Sequence, residues 1–128
     1  MTIAVDTSAL IAVLTREPEG AACEERLHSD DLVISAATVT EALIVAGRRG
    51  YGTQMGAFLD HWGLVVVDVT PAFARRAASV YDRWGKGVHP ASLNYGDCFS
   101  YAVAELHDCP LLFIGDDFSR TDIRSALG

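Results

Sequence analysis

The chain reads as an α/β fold, with strands and helices alternating around a parallel sheet. Three observations predict this. Four short apolar runs, at residues 2–5, 32–35, 64–69 and 111–114, are separated by stretches long enough to hold helices. The runs are almost uninterrupted, as strands covered on both faces must be; a sheet with one wet face alternates instead. The connections are long enough for crossovers, which parallel pairing requires.

The elements follow in order. Residues 2–5 form a short strand that ends at Asp6, and 8–14 continue as a helix. A second helix is expected over 18–28, with Pro18 in its first turn, where a missing N–H costs nothing. Residues 32–35 are the next strand. A helix over 38–49 stops at Gly50, as helices commonly do, and another runs over 51–62 to Gly63. The β-branched run 64–69, between Gly63 and Pro71, is the clearest strand. Pro71 opens a helix to Trp84. Residues 85–94 are a loop, 95–107 a helix and 111–114 the last strand, followed by a short polar tail.

A chain of 128 residues, half of them apolar, fits one domain, 1–128, with a core that needs no staples. No stretch is long and apolar enough to span a bilayer. The start lacks the charged leader of a signal peptide, so a soluble, cytoplasmic protein is expected, with no membrane partner. Cys23, Cys98 and Cys109 are odd in number and badly spaced for zinc; they are expected to be reduced and buried. Trp62 and Trp84 are expected as packing anchors rather than base platforms.

The net charge of −7 argues against gripping nucleic acid by bulk electrostatics. The charge is uneven, however. Residues 17–31 are mostly acidic, whereas between 48 and 86 Arg48, Arg49, Arg75, Arg76, Arg83 and Lys86 outnumber Asp60, Asp68 and Asp82. Such a basic edge can meet phosphates if cations offset the carboxylates elsewhere.

Those carboxylates carry the chemistry. Asp6 ends the first strand, and it is equally suited to cap the next helix. Glu41 lies among apolar residues. Thr38 and Glu41 fit a capping box, yet an ionised glutamate in such company needs compensation. Asp97 follows Asn94, a good N-cap, and the helix dipole favours an anion there; the run after it, 98–104, is largely apolar. Asp116 and Asp117 close the last strand, where turn chemistry alone accounts for them. Asp122 reads as a surface residue. In an open parallel sheet, ligands gather outside the carboxyl ends of the strands, so four of these acids can meet at one rim. Carboxylates crowded together raise one another's pKa unless a cation intervenes. Oxygen ligands of this kind suit Mg²⁺ or Mn²⁺.

The segments VDTSAL, ATVTEALIV, LNYGDCFSYAVAE and PLLFIGDDFSRTDI, in this order, resemble the PIN-domain ribonucleases, and within them the VapC-type toxins of bacterial toxin–antitoxin modules. The resemblance covers essentially the whole chain. It implies a three-layer α/β/α sandwich with a parallel sheet of four to five strands. It also implies a Mg²⁺- or Mn²⁺-dependent endoribonuclease that leaves 5′-phosphate and 3′-hydroxyl ends, a cognate VapB-type antitoxin that blocks the site, and homodimers. Carried over, the family acids are Asp6, Glu41, Asp97 and, of the adjacent pair, Asp116 with Asp117 as alternate. Asp6 and Asp97 are the expected direct metal ligands, while Glu41 and Asp116 act through water. Thr7 and Ser8 match the supporting hydroxyls. Arg48, Arg49, Lys86 and His89 are candidate RNA contacts.

Other readings fit less well. A haloacid-dehalogenase-type phosphatase needs a second aspartate where Ser8 stands. A response-regulator receiver needs paired acids at the first strand and a lysine after a late one. A dinucleotide site needs a glycine-rich first turn, which VDTSAL lacks. A non-catalytic RNA- or protein-binding module on the same scaffold is the alternative of a different class.

Overall fold

Apolar runs that must be covered on both faces need helices above and below them, and the computed structural model, which describes residues 1–128, has that layering. The order is β1 (Thr2–Val5), α1 (Thr7–Leu14), α2 (Gly20–Ser29), β2 (Asp31–Ser35), α3 (Ala36–Arg48), α4 (Gly52–His61), β3 (Val65–Val67), α5 (Pro71–Trp84), α6 (Tyr95–Leu106) and β4 (Leu111–Leu112). The four strands are parallel and lie in the order β3-β2-β1-β4. Successive strand residues feed opposite faces. Ile3, Val5, Leu32, Ile34 and Leu112 join residues of α1–α4 in one core, while Ala4, Val33 and Leu111 join α5 and α6 in the other. This is the predicted three-layer sandwich, with four strands. No helix is long and apolar enough to cross a membrane.

The chain steps outward from β1 to β2 to β3, then returns to the other side of β1 for β4. The succession therefore reverses between β1 and β4. In open parallel sheets the crevice at such a reversal is where ligands bind. Asp6 leaves β1 at that point, and its backbone N–H donates to Leu112 O at 3.0 Å.

Several boundaries differ from expectation. Helix α2 starts at Gly20 rather than Pro18, because Pro18 and Glu19 form a turn closed by Gly20 N donating to Glu17 O at 2.9 Å; the missing Cβ at Gly20 permits a close approach of the Ala12 carbonyl in α1. Helix α3 starts two residues early, since Ser35 is its N-cap, its hydroxyl accepting from Ala37 N at 3.1 Å. Strand β3 is shorter than predicted and is not buried on both faces. It is an edge strand, with Val65 61% and Val66 48% exposed. Strand β4 keeps only two of its four expected residues, and residues 85–94 are tied by a bridge between Gly85 and Leu93. Pro71 does open α5, behind a Thr70 cap that accepts from Phe73 N at 3.1 Å. All three cysteines are free and buried, and Trp62 and Trp84 pack against the two cores.

The tail is held from the core. Tyr101, buried in α6, donates its hydroxyl to Asp122, and the Arg83 guanidinium lies 5.5 Å from the Tyr101 ring centre. Asp122, expected as a surface or tail residue, is exposed there and also anchors the tail. Tyr101→Phe removes this bond while keeping the packing. It should lower unfolding free energy by about 1 kcal/mol, read from denaturant midpoints at unchanged m-value.

Candidate active site

Asp6 is placed by β1 and by its role as N-cap of α1. Its side chain is almost wholly enclosed, at 5% exposure, and three donors meet its charge. Ser8 donates twice to Oδ2, from its backbone N at 3.1 Å and its hydroxyl at 2.6 Å. The Ser100 hydroxyl donates to Oδ1 at 2.5 Å. Ser8 Oγ also accepts from Ile114 N at 3.0 Å, which ties the start of α1 to the segment leaving β4. Cap and candidate ligand are therefore the same carboxylate.

Glu41 does not close a capping box with Thr38. The early start of α3 buries Thr38 in the first turn and puts Glu41 one turn further on. There its Oε1 accepts from the Thr7 hydroxyl at 2.6 Å. Its carboxylate lies against Gly96, where any Cβ would collide with it. Glycine at that position thus lets the acid approach the N-terminus of α6, whose dipole favours a negative charge. Asp97 sits in the same turn. It accepts from Asn94 N at 3.0 Å, and its own N–H donates to Asn94 Oδ1 at 2.9 Å, which completes a capping box.

The electrostatics show that these acids share one place. Burial pushes Asp97 up to about 7, against the bond from Asn94 N, and the charges of Asp6, Asp117 and Glu41 add to the rise. Burial also raises Glu41, partly offset by the Thr7 bond, with Asp6 raising it further. A donor set made of carboxylate oxygens, carrying more negative charge than it can hold ionised, fits a hard divalent cation. No three His, Cys, Asp or Glu side chains stand close enough to form a ready cage. An ion that keeps most of its own water and takes one or two carboxylates needs none, and Mg²⁺ binds in that way.

Comparison with known proteins identifies the family. The protein-family model described as PIN domain matches residues 3–124. The chain belongs to the PIN-domain family. Among curated relatives, Ribonuclease VapC of Mycolicibacterium smegmatis is 45% identical over 126 residues, covering 93% of this chain and 95% of its own. Ribonuclease VapC30 of Mycobacterium tuberculosis is 44% identical over 126 residues, covering 93% and 94%. Among solved structures, Mycobacterium tuberculosis VapC20, described as a Sarcin-Ricin loop cleaving toxin, superposes with a TM-score of 0.74 at 20% identity, covering 94% of this chain and 95% of its own. A toxin–antitoxin complex from Klebsiella pneumoniae gives 0.73 at 17% identity, covering 98% of each chain. These last two are likenesses of fold.

Within this PIN domain, the expected acids divide. Asp6, Glu41 and Asp97 come together. Asp117 is exposed, yet its charge reaches Asp97; Asp116 is exposed and is not among the charges that raise Asp97. Ser8 holds Asp6, whereas Thr7, matched with it to the hydroxyls that orient the first aspartate or its water, donates to Glu41. The basic candidates separate as well. Arg48 and Arg49 are exposed at the far end of α3, Arg48 two turns past Glu41, about 10 Å along the axis. His89 is engaged within its loop, its Nδ1 accepting from Ala91 N at 3.0 Å and its ring edge-on to Trp84. Lys86 is exposed, and its backbone N donates to Leu93 O, next to the α6 cap. The sequence reading missed two residues, Ser100 and Thr38. Ser100 stands one turn after Asp97 on the same helix face, and that i, i+3 spacing is the signal that points to it.

The shift of Asp97 gives a test on the metal-free protein. The folded state holds this proton more tightly than the unfolded chain, with its ordinary value of 3.8. Stability is therefore lost as pH rises from about 4 through about 7, and not further above it. Thermal midpoints in EDTA should fall across that window. Added Mg²⁺ or Mn²⁺ should restore them most at the upper end.

Proposed function

We propose that this chain is the toxin of a toxin–antitoxin pair and cuts RNA as a divalent-metal-dependent endoribonuclease. The observation that carries the reading is the convergence of Asp6, Glu41 and Asp117 charges on Asp97, at the reversal point of a parallel sheet. The ribonuclease names of relatives at 40–45% identity support it. Asp6 and Asp97 would hold Mg²⁺, or Mn²⁺ in its place. Such an ion, when bound, activates water and offsets charge growing on a phosphate.

The chain's own groups do the rest. Glu41, whose proton affinity burial raises, is suited to orient the attacking water and accept its proton. Asp117 is the better fourth acid, because its charge bears on Asp97. Lys86 is the cation best placed to hold a substrate phosphate. The net charge of −7 gives no general grip on nucleic acid, so RNA would be taken locally, at single-stranded segments whose backbone can enter the crevice. A VapB-type antitoxin that covers this crevice, a homodimeric state and a cytoplasmic place of action belong to the same proposal. Toxin–antitoxin assemblies among the structural neighbours support the antitoxin.

Asp6→Asn and Asp97→Asn should each lower RNA cleavage by at least about a hundredfold while leaving the circular dichroism spectrum and antitoxin binding in place. Asparagine can still accept the capping hydrogen bonds. Cleavage by Asp97→Asn at the wild-type rate, or cleavage by wild type in excess EDTA, would refute the metal-site reading. A protein that binds antitoxin and cuts no RNA under any divalent metal would point to the non-catalytic alternative.

The fourth acid is separable by paired variants. Asp117→Asn should reduce cleavage about tenfold or more, and Asp116→Asn should do so far less. The reverse order in single-turnover assays would return the role to Asp116.

A further inference from the structure

Asp6 is served by two relays of the same design. On one side Ile114 N donates to Ser8 Oγ at 3.0 Å, and Ser8 Oγ donates to Asp6 Oδ2 at 2.6 Å. On the other, Ser100 Oγ lies 2.5 Å from Asp6 Oδ1 and 3.4 Å from Thr38 Oγ1. The direction of the second relay follows from proton counting. An ionised carboxylate only accepts, and a hydroxyl has one proton. Ser100 therefore gives its proton to Asp6, and the Thr38 hydroxyl is the donor toward Ser100. Thr38 and Ser100 come from the two helices that carry Glu41 and Asp97, and both are fully enclosed, at 1% and 0% exposure.

Packing does not account for the hydroxyl. Ser100 sits in a helix segment that also buries Ala102 and Ala104, and alanine is the better helix former at such a position. The hydroxyl's function is its contact with Asp6, 94 residues away along the chain. Without it Oδ1 has no donor, and the carboxylate is held at one oxygen only, by the two Ser8 bonds to Oδ2, which leaves more freedom about its terminal bond. A cation ligand that can turn must be fixed when the ion binds, which weakens binding. Groups behind metal ligands typically set affinity by about ten- to a hundredfold.

We propose that Ser100, backed by Thr38, is a positioning residue that holds the Asp6 carboxylate in the orientation that takes the divalent cation. This rests on the metal-site reading above. It adds a residue from the middle of an apolar helix to the acids and hydroxyls of that site.

The test is Mn²⁺ binding to the intact protein, followed by calorimetry and by loss of the free-ion spin-resonance signal, with no RNA present. Ser100→Ala should bind Mn²⁺ about tenfold more weakly than wild type, with an unchanged circular dichroism spectrum. Its cleavage should recover toward the wild-type rate as Mn²⁺ is raised, because the fault lies in occupancy. A role in folding alone would lower the thermal midpoint and leave the metal dependence where it was. In an Asp6→Asn background, Ser100→Ala should cause no further loss of Mn²⁺ binding. If Ser100→Ala does not fold, Thr38→Val removes only the outer donor and should weaken Mn²⁺ binding about twofold to threefold in the same direction. Wild-type affinity in folded Ser100→Ala, or in that second variant, overturns the inference and leaves the metal site standing. Absence of Mn²⁺ binding by wild type overturns the metal-site reading itself.

Discussion

The structure turns on the burial of carboxylates that the fold brings to one end of its sheet, where their charges also repel one another. Asp6, Glu41 and Asp97 arrive from β1, α3 and α6, and each is enclosed enough that its charge is poorly met by water. Local devices reduce the strain without removing it. Hydroxyls face Asp6 and Glu41, the first turn of α6 faces Glu41 and Asp97, and Gly96 makes room for Glu41. What remains is an excess of negative charge at that end of the sheet, and proton or cation uptake are its two outlets.

Much of this was legible in the sequence, for identifiable reasons. Uninterrupted apolar runs report burial on two faces, so the layered sandwich could be read directly. Capping residues are local, so Asn94 with Asp97 and Thr70 with Pro71 could be read as well. Glu41 was harder. Thr38 and Glu41 satisfy the spacing of a capping box, but Ser35 competes for the same helix start and wins. Which of two good caps prevails depends on where β2 ends, and its last residue, Ser35, is paired with Val67 of β3. The exposure of β3 was likewise beyond a sequence reading, because a run of valines looks the same in the middle of a sheet and at its edge.

Ser100 illustrates a different limit. A lone serine among Cys, Phe, Tyr and Ala reads as a small core filler. Its meaning appears only when α6 is laid across β1, which brings its hydroxyl to Asp6. The basic residues show the converse. Arg48, Arg49, Lys86 and His89 looked alike as charges, and they were sorted by helix length and loop pairing rather than by composition.

The two margins of the sheet are finished differently. Beyond β4, Leu111 is already paired with Ser125 of the tail, so that margin is taken. Beyond β3 no further strand is paired, and Val65 and Val66 are exposed while Val67 packs against the core. An open margin is a template for another strand. With only one such margin per molecule, joining by strand addition consumes the sole available seam on both sides. Such joining could only close a pair and could not extend a fibre.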